Sequence, residues 1–208
     1  MARYCGAVCR LCRREGEKLF LKGERCYTEK CAVEKREGGP GQHGRGRQSH
    51  SDYKVQLREK QKVKRTYGML EGQFRRAAED AMSSKAVTGT ALLQGLECRL
   101  DNVVYRLGFG FSRKQARQLV SHRLVKVNGR VINIPSHTIS VGDTIEPTEK
   151  LKKNVYVQGA LAAVAGRFLP EWLSLDKQAV KGTVKALPTR DQLPQNIKEQ
   201  LIVELYSK

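Results

Sequence analysis

Residues 100–129 read LDNVVYRLGFGFSRKQARQLVSHRLVKVNG and contain the strongest structural signals in the chain. Apolar residues over 92–107 recur every three or four positions, which predicts one long amphipathic helix. Ser112 is a good N-cap for a second helix, which should run to about residue 122. Asn128-Gly129 separates two short runs of β-branched residues and predicts a hairpin with a type I′ turn. With a strand at about 144–147, these elements form a small α/β module.

Outside this module the sequence predicts mainly helices. A strongly basic helix should run from Ser51 to about Tyr67, and a second, shorter helix should span about 71–82. The tail predicts a weak helix at 160–168, another helix at about 194–199, and a terminal apolar run, 201–206, which fits a strand. These signals are weaker than those of the module.

The charge of the chain points to a polyanionic partner. The 208 residues contain 39 Lys plus Arg and 21 Asp plus Glu, a net charge of +18, and 39% of the residues are hydrophobic. No apolar stretch is long enough to span a membrane, and the first ten residues, MARYCGAVCR, have no apolar core of a secretory signal. Residues 1–70 alone carry a net charge of +10. Such a field argues against a free-standing metabolic enzyme and favours a nucleic-acid binder.

Four cysteines in the basic N-terminal region have the spacing of a metal site. Cys9 and Cys12 form a C-x₂-C pair, 13 residues intervene, and Cys26 and Cys31 form a C-x₄-C pair. Two close pairs across a short loop suit a tetrahedral four-thiolate site. Because all four ligands would come from the protein, the site would be closed and structural, and metal binding would supply folding energy to residues 1–36.

The alternatives for these cysteines are disulfides, a different ligand set and a different metal. A basic chain without a secretion signal belongs in a reducing compartment, which disfavours disulfides. We predict one structural zinc ion, with an iron–sulfur cluster as the alternative. Cys5 could replace one ligand, whereas Cys98 reads as a small core residue.

No catalytic constellation is evident in the sequence. The chain has no phosphate-binding glycine loop of the usual spacing, and none of its four histidines pairs with another at i, i+4 or sits in a nucleophile motif. Most carboxylates alternate with Lys or Arg, as on a solvated surface. We therefore expect no enzymatic activity.

Four segments together resemble the S-four family of bacterial small-ribosomal-subunit proteins. They are the opening Arg3-Tyr4 with the four cysteines, residues 40–44 (PGQHG), residues 100–108 (LDNVVYRLG), and residues 112–120 (SRKQARQLV) leading into 127–129. The last two resemble the S-four RNA-binding module, which also occurs in other RNA-binding proteins. With the tail segment WLSL at 172–175, the resemblance covers essentially the full length.

The resemblance implies an α+β fold with three parts. These are an N-terminal metal-binding arm over 1–44, a mostly helical domain over 45–97 plus 161–208, and an inserted RNA-binding module over 98–160. It further implies a primary binder of small-subunit rRNA at a multi-helix junction of the 5′ domain, acting early in assembly. Expected neighbours are ribosomal protein five, with which it influences translational accuracy, and mRNA near the entry channel. Expected surroundings are cytoplasmic, without membrane or small-molecule substrate.

Cationic and polar side chains in the arm, the glycine-rich loop, the basic helix and the module are predicted to contact this RNA. On the module's second helix they should lie along the exposed side, and the basic helix should spread its charge around most of its circumference, as if wedged between RNA segments. The predicted contacts are Arg3, Tyr4, Arg10, Arg13, Arg14, Lys22, Arg25, Gln42, His43, Arg45, Arg47, Lys54, Arg58, Lys60, Lys62, Lys64, Arg65, Arg113, Lys114, Arg117, Gln118, His122 and Lys126.

Two rival functions are weaker. An RNA-modifying enzyme would use the same module for docking but needs a catalytic domain, and about 50 residues after the module leave no room for one. A zinc-dependent DNA-binding regulator would need a base-reading helix and usually a dimer interface, and the sequence shows neither.

Overall fold

The computed structural model describes residues 3–36, 38–44, 46, 51–152, 154–164 and 169–207. The chain forms two units, one of Met1–Leu92 with Gln195–Lys208 and the other of Leu93–Pro194. We refer to them as the terminal unit and the central unit.

Helices predominate among the described elements, and the strands are short. The helices are α1 (Cys9–Glu15), α2 (Ala32–Lys35), α3 (Asp52–Thr66), α4 (Glu71–Met82), α5 (Thr88–Glu97), α6 (Leu100–Arg106), α7 (Arg113–Ser121), α8 (Glu149–Lys152), α9 (Val155–Val164) and α10 (Glu199–Tyr206). The strands are β1 (Val125–Val127), β2 (Arg130–Val131), β3 (Thr144–Pro147), β4 (Leu173–Asp176) and β5 (Lys181–Val184). Gly23–Tyr27 and Arg190–Gln192 form 3₁₀ turns.

In the terminal unit, α3 and α4 confirm the two predicted helices. Ser51 caps α3, because its Oγ accepts a hydrogen bond from the backbone N–H of Lys54 at 3.3 Å. Val63 of α3, Phe74 of α4 and Ile202 of α10 are completely buried. α3 packs against α10.

The end of the chain differs from the sequence-based expectation. Residues 201–206 belong to helix α10 rather than to a strand, and the helix expected at about 194–199 begins only at Glu199. An apolar run of this length fits either structure by periodicity alone. Packing against α3 decides in favour of the helix, since it buries Ile202 and lets Glu204 accept a hydrogen bond from the Gln56 amide at 3.0 Å.

The central unit contains one antiparallel sheet with the strand order β2-β1-β3-β5-β4. The predicted hairpin is confirmed, because Val127 pairs with Arg130 across Asn128 and Gly129. Both turn residues have positive φ, 49° and 77°, as a type I′ turn requires. α6 and α7 pack on each other and on this sheet, with Val104, Leu107 and Val120 in the common core.

The single long helix expected over 92–107 is wrong. α5 ends at Glu97, and α6 begins at Leu100 after an extended Arg99 with φ −68° and ψ 138°. Arg99 forms a β-bridge with Thr138, and the Leu100 N–H donates to the His137 carbonyl at 2.8 Å. These long-range hydrogen bonds interrupt the helix while leaving its apolar spacing intact.

Strands β4 and β5 extend the sheet of the module beyond the residues that the sequence assigned to it. β5 pairs with β3, and Trp172, Leu173 and Val184 belong to the core of the central unit. The division predicted from the sequence instead placed all of 161–208 with the helical domain. The weak helix expected at 160–168 corresponds to α9, whose described part ends at Val164, while 165–168 lie outside the described residues.

Within the described residues, no helix is long and apolar enough to cross a bilayer.

Candidate nucleic-acid interface and thiol cluster

Four cysteines converge on one small cavity of the terminal unit. α1 supplies Cys9 and Cys12, the 3₁₀ turn supplies Cys26, and Cys31 precedes α2. The four side chains line a cavity of about 10 Å³, which is close to the room one water-sized particle needs. Cys5 does not line this cavity; it is exposed, and its thiol donates to the Arg3 carbonyl. No disulfide joins these cysteines in the part of the chain that the structure describes.

Burial raises the pKa of two thiols of this cluster, Cys12 and Cys26. Burial raises the pKa of Cys12, the backbone N–H of Leu19 opposes this shift, and the neighbouring thiol groups raise the pKa further. Burial also raises the pKa of Cys26, against a hydrogen bond donated by the Lys22 N–H at 3.3 Å. Four thiolates at this spacing therefore need a cation between them.

The donor set fits a thiophilic ion. Four sulfurs with backbone N–H donors to two of them are the chemistry that zinc and iron–sulfur clusters use. No group of three or more His, Cys, Asp or Glu side chains within the described residues is arranged to hold a metal ion.

Several cations that are predicted to contact RNA form ion pairs and hydrogen bonds within the protein. Lys60 and Lys62 of α3 are only 8% and 7% exposed. Lys60 pairs with Glu71, and Lys62 donates to the Asn196 carbonyl at 2.7 Å and lies 3.0 Å from a Glu59 carboxylate oxygen. The expectation that α3 carries exposed charge around most of its circumference is therefore wrong. One side of the helix packs against α10 and forms ion pairs with Glu71 of α4.

Arg58 and Arg65 of α3 hold the N-terminal arm. Both guanidinium groups hydrogen-bond the carboxylate of Glu15 at the end of α1, whose side chain is only 3% exposed. Lys64 donates to Glu71 at 2.7 Å and is half-buried. These pairs join α1, α3 and α4, so the side chains have a structural role besides any contact with RNA.

Glu71 makes the stability of this helix cluster dependent on pH. Burial raises its pKa, but hydrogen bonds from Lys60, Lys64 and Tyr206 outweigh burial and lower the pKa to about 2. Because the folded pKa lies below the ordinary value of 4.5, ionised Glu71 stabilises the fold above about pH 4.5, and this contribution is lost as the pH falls toward 2.

Urea unfolding of wild type and Glu71→Gln across this pH range should show the effect. We expect the difference between their unfolding midpoints to be constant above about pH 5 and to shrink steadily toward pH 2. A difference that stays constant down to pH 2 would assign the stability of the cluster to packing alone.

The module's second helix exposes fewer arginines than its sequence suggests. Arg117 is 7% exposed, and its Nη1 donates to Asp101 of α6 at 2.8 Å. Arg99 binds the same carboxylate through two hydrogen bonds of 2.9 and 3.1 Å. The expectation that Arg117 lies on the exposed side is wrong, because its acidic partner comes from another helix and not from the same helix at i, i+4.

Arg113 is oriented by its neighbours but retains access to solvent. Its Nε donates to the Asn102 side chain at 2.8 Å, and its guanidinium lies 4.7 Å from the centre of the Tyr105 ring. The buried Glu97 lies 4.0 Å from the same guanidinium and also binds Arg106 through two hydrogen bonds. The guanidinium of Arg113 is thus placed in one orientation at the start of α7.

The remaining predicted contacts are mostly exposed or half-buried. On the module, Lys114, Gln118 and His122 are exposed, and Lys126 is half-buried. In the terminal unit, Arg13 and Lys54 are half-buried, and the exposed residues are Arg3, Tyr4, Arg10, Arg14, Lys22, Arg25, Gln42 and His43. Arg45 and Arg47 lie outside the described residues.

The glycine-rich loop closes on itself. The Gly39 N–H donates to the Gly44 carbonyl at 3.0 Å, and the Gly44 N–H donates to the Gly41 carbonyl at 3.2 Å. A Cβ atom at Gly44 would lie 2.0 Å from the Gly39 carbonyl oxygen, so a larger residue cannot occupy this position without opening the loop. The side chains of Gln42 and His43 project from this compact turn.

Comparison with known proteins assigns this arrangement to a family. Residues 3–97 match the family described as ribosomal protein S4/S9 N-terminal domain, and residues 98–145 match the S4 domain. The chain is 59% identical to small ribosomal subunit protein uS4 of Anaeromyxobacter sp. (strain K) and of Geobacter sp. (strain M21), and 56% identical to uS4A of Myxococcus xanthus (strain DK1622). Each alignment covers 208 residues and the full length of both chains. The chain belongs to the ribosomal protein uS4 family. This is a family of structural ribosomal proteins, not of enzymes, and its S4 domain binds RNA.

Sequence reasoning missed the acidic and amide side chains that organise the basic surface of this uS4-family chain. Glu97, Asp101 and Asn102 are all at most 4% exposed and bind the arginines of α6 and α7. A signal was present, since Glu97, Asp101 and Asn102 interrupt the apolar spacing of residues 92–107. Polar residues in such a segment are buried only with hydrogen-bonding partners.

Proposed function

We propose that this chain is a structural component of the small ribosomal subunit and that it binds the rRNA of that subunit. The full-length identity of 59% to proteins named small ribosomal subunit protein uS4 is the observation that carries this proposal. The net charge of +18 and the exposed cations of the arm and of α7 supply the attraction to RNA. RNA junctions are recognised by backbone shape and 2′-hydroxyl groups, which suits a surface of this kind.

The RNA partner in this proposal is the multi-helix junction of the 5′ domain, bound early so that it nucleates assembly of that domain. Purified full-length chain should bind a 5′-domain transcript at about 150 mM salt much more tightly than duplex DNA of the same length. Equal affinity for the two would favour a non-specific polycation or a DNA-binding regulator.

The exposed face of α7 should contribute directly to this binding. Replacing Lys114 with Gln should weaken binding of the transcript and reduce the slope of log affinity against log salt by about one unit, as expected for one lost phosphate contact. Fluorescence titrations at four or more salt concentrations give the slope.

Lys177→Gln is the matched control, because Lys177 is an exposed cation in the turn between β4 and β5. Its slope should equal that of wild type. If Lys114→Gln also leaves the slope unchanged, α7 does not contact RNA phosphates.

We also propose that the thiol cluster holds one structural zinc ion, with an iron–sulfur cluster as the alternative. The four convergent sulfurs and the cavity between them support this proposal. A bound ion would neutralise the thiolates and hold the two cysteine pairs of the arm together. Elemental analysis with an absorbance spectrum distinguishes the two metals, because iron–sulfur clusters are coloured and zinc is not.

Two further neighbours belong to the proposal and rest on the family resemblance. One is ribosomal protein five, with which the chain would influence translational accuracy, and the other is mRNA near the entry channel. Chemical crosslinking of small subunits that contain this chain should recover peptides of protein five and segments of mRNA.

A further inference from the structure

A polar groove lies beside the thiol cluster in the terminal unit, between the end of α2 and the loop 38–44. Its volume is about 510 Å³, within the range of sites that hold small ligands. Arg13, Lys35 and Arg36 contribute cationic side chains to its walls, and Gln42 contributes an amide. The thiol cluster lines a separate cavity, so this groove has no part in the proposed metal site.

The groove is positively charged. Among the described residues that line it, Glu34 is the one acid, and its carboxylate is paired with Lys18. No ion pair with Lys35 or Arg36 occurs in the part of the chain that the structure describes, and both side chains are exposed. The described lining therefore suits an anionic ligand, which would bring negative charge to Lys35 and Arg36.

Arg13 offers a flat surface rather than a point charge. Its Nε and Nη2 donate to the Gly38 and Gly39 carbonyls at 3.3 and 3.0 Å. Hydrogen bonds of guanidinium N–H groups lie near the guanidinium plane and hold its orientation, so a stacking partner would use a face of the plane. Guanidinium planes are one of the surfaces on which unpaired bases stack in RNA complexes.

Gln42 adds a group that can recognise a base. Its exposed amide has donors and an acceptor, as needed to pair with the edge of a base. The loop that carries it includes Gly41, where a Cβ would meet no atom within 4 Å, so the backbone beside the groove is open. An RNA backbone can therefore approach the loop closely.

We propose that this groove binds one unpaired nucleotide of the folded RNA, an inference that rests on the rRNA-binding function proposed above. Lys35 and Arg36 bind the phosphate, Arg13 stacks on the base, and Gln42 contacts the base edge. A duplex keeps its bases stacked inside and presents a continuous row of phosphates, so it cannot place a base in a recess of this size.

Ultraviolet crosslinking of the full-length chain to the 5′-domain transcript, followed by mass spectrometry, tests the inference. We expect crosslinks in peptides that span residues 35–44, to a nucleotide that chemical probing of the RNA identifies as unpaired. The double variant Lys35→Ala/Arg36→Ala should lose these crosslinks and bind the transcript about tenfold more weakly, because it loses two charge-assisted hydrogen bonds.

Lys30→Ala is the control, because Lys30 is an exposed cation of the same arm that does not line the groove. It should retain the crosslinks and nearly the wild-type affinity. If wild type binds the transcript but crosslinks only outside 35–44, or through paired nucleotides, the groove inference is wrong and the proposed function stands. If wild type does not bind the transcript, both fail.

Discussion

Replacing Asp101 with Ala is expected to lower the free energy of unfolding of the central unit by about 3–5 kcal/mol. The Asp101 carboxylate is 4% exposed and accepts hydrogen bonds from Arg99 and Arg117, which are both 7% exposed. Its removal takes away the carboxylate that these two buried guanidinium groups share. Thermal unfolding should show a fall in the melting temperature of more than about 10 °C.

A surface ion pair provides the control for this prediction. Glu79 and Arg75 form an exposed i, i+4 pair on α4, so Glu79→Ala should cost no more than about 0.5 kcal/mol. Adding Arg117→Met to Asp101→Ala should recover part of the lost stability, because it removes one of the two buried cations that the Asp101 carboxylate binds. If Asp101→Ala behaves like Glu79→Ala, the buried network does not contribute to stability.

Local signals in the sequence predicted the elements whose structure is decided locally. Ser51 and Ser112 cap α3 and α7, and the Asn128-Gly129 turn closes the hairpin. The break between α5 and α6 could not be predicted in this way, because Arg99 is extended by its bridge to Thr138, 39 residues further along the chain. Periodicity describes which face is apolar, and it does not reveal a backbone that hydrogen-bonds elsewhere.

The same distinction explains which candidate site residues the sequence could place near one another. The four cysteines lie within 23 positions of one another, so spacing alone was enough to bring them to one cavity. The environments of Lys60, Lys62 and Arg117 depend on partners supplied by other elements. A net charge of +18 shows that basic residues outnumber acidic ones, but it does not show which basic residues form ion pairs with the acidic ones.

Buried acidic side chains form ion pairs with part of the Lys and Arg residues, and these pairs stabilise the fold. The basic surface that remains for RNA is therefore smaller than the net charge suggests. Glu15, Glu97 and Asp101 are almost completely buried, and each binds at least two arginines. The surface cations of the arm and of α7 are thus carried on a scaffold that other cations stabilise. Substitutions that remove a positive charge should therefore fall into two groups. Those at the surface alter the salt dependence of RNA binding, and those in the buried pairs alter the stability of the fold.

Replacing Cys12 with Ser is expected to abolish stoichiometric metal binding and to unfold the N-terminal arm. Apart from the cysteines, Leu19 is the one large apolar side chain among residues 3–36 that is fully buried, so the arm has little core of its own. Binding of zinc by thiolates contributes about 10–16 kcal/mol in small zinc-dependent folds, and a missing ligand removes much of it. Metal content by mass spectrometry and amide hydrogen exchange over residues 3–36 measure the two effects.

Cys5→Ser is the matched control, since Cys5 is exposed and lies outside the cavity that the other four cysteines line. It should bind one equivalent of metal and exchange like wild type. The opposite result, with metal retained in Cys12→Ser and lost in Cys5→Ser, would assign Cys5 to the ligand set in place of Cys12. Wild type that binds no zinc or iron, with an arm protected from exchange, would show that the buried pairs of Glu15 with Arg58 and Arg65 order the arm without a metal.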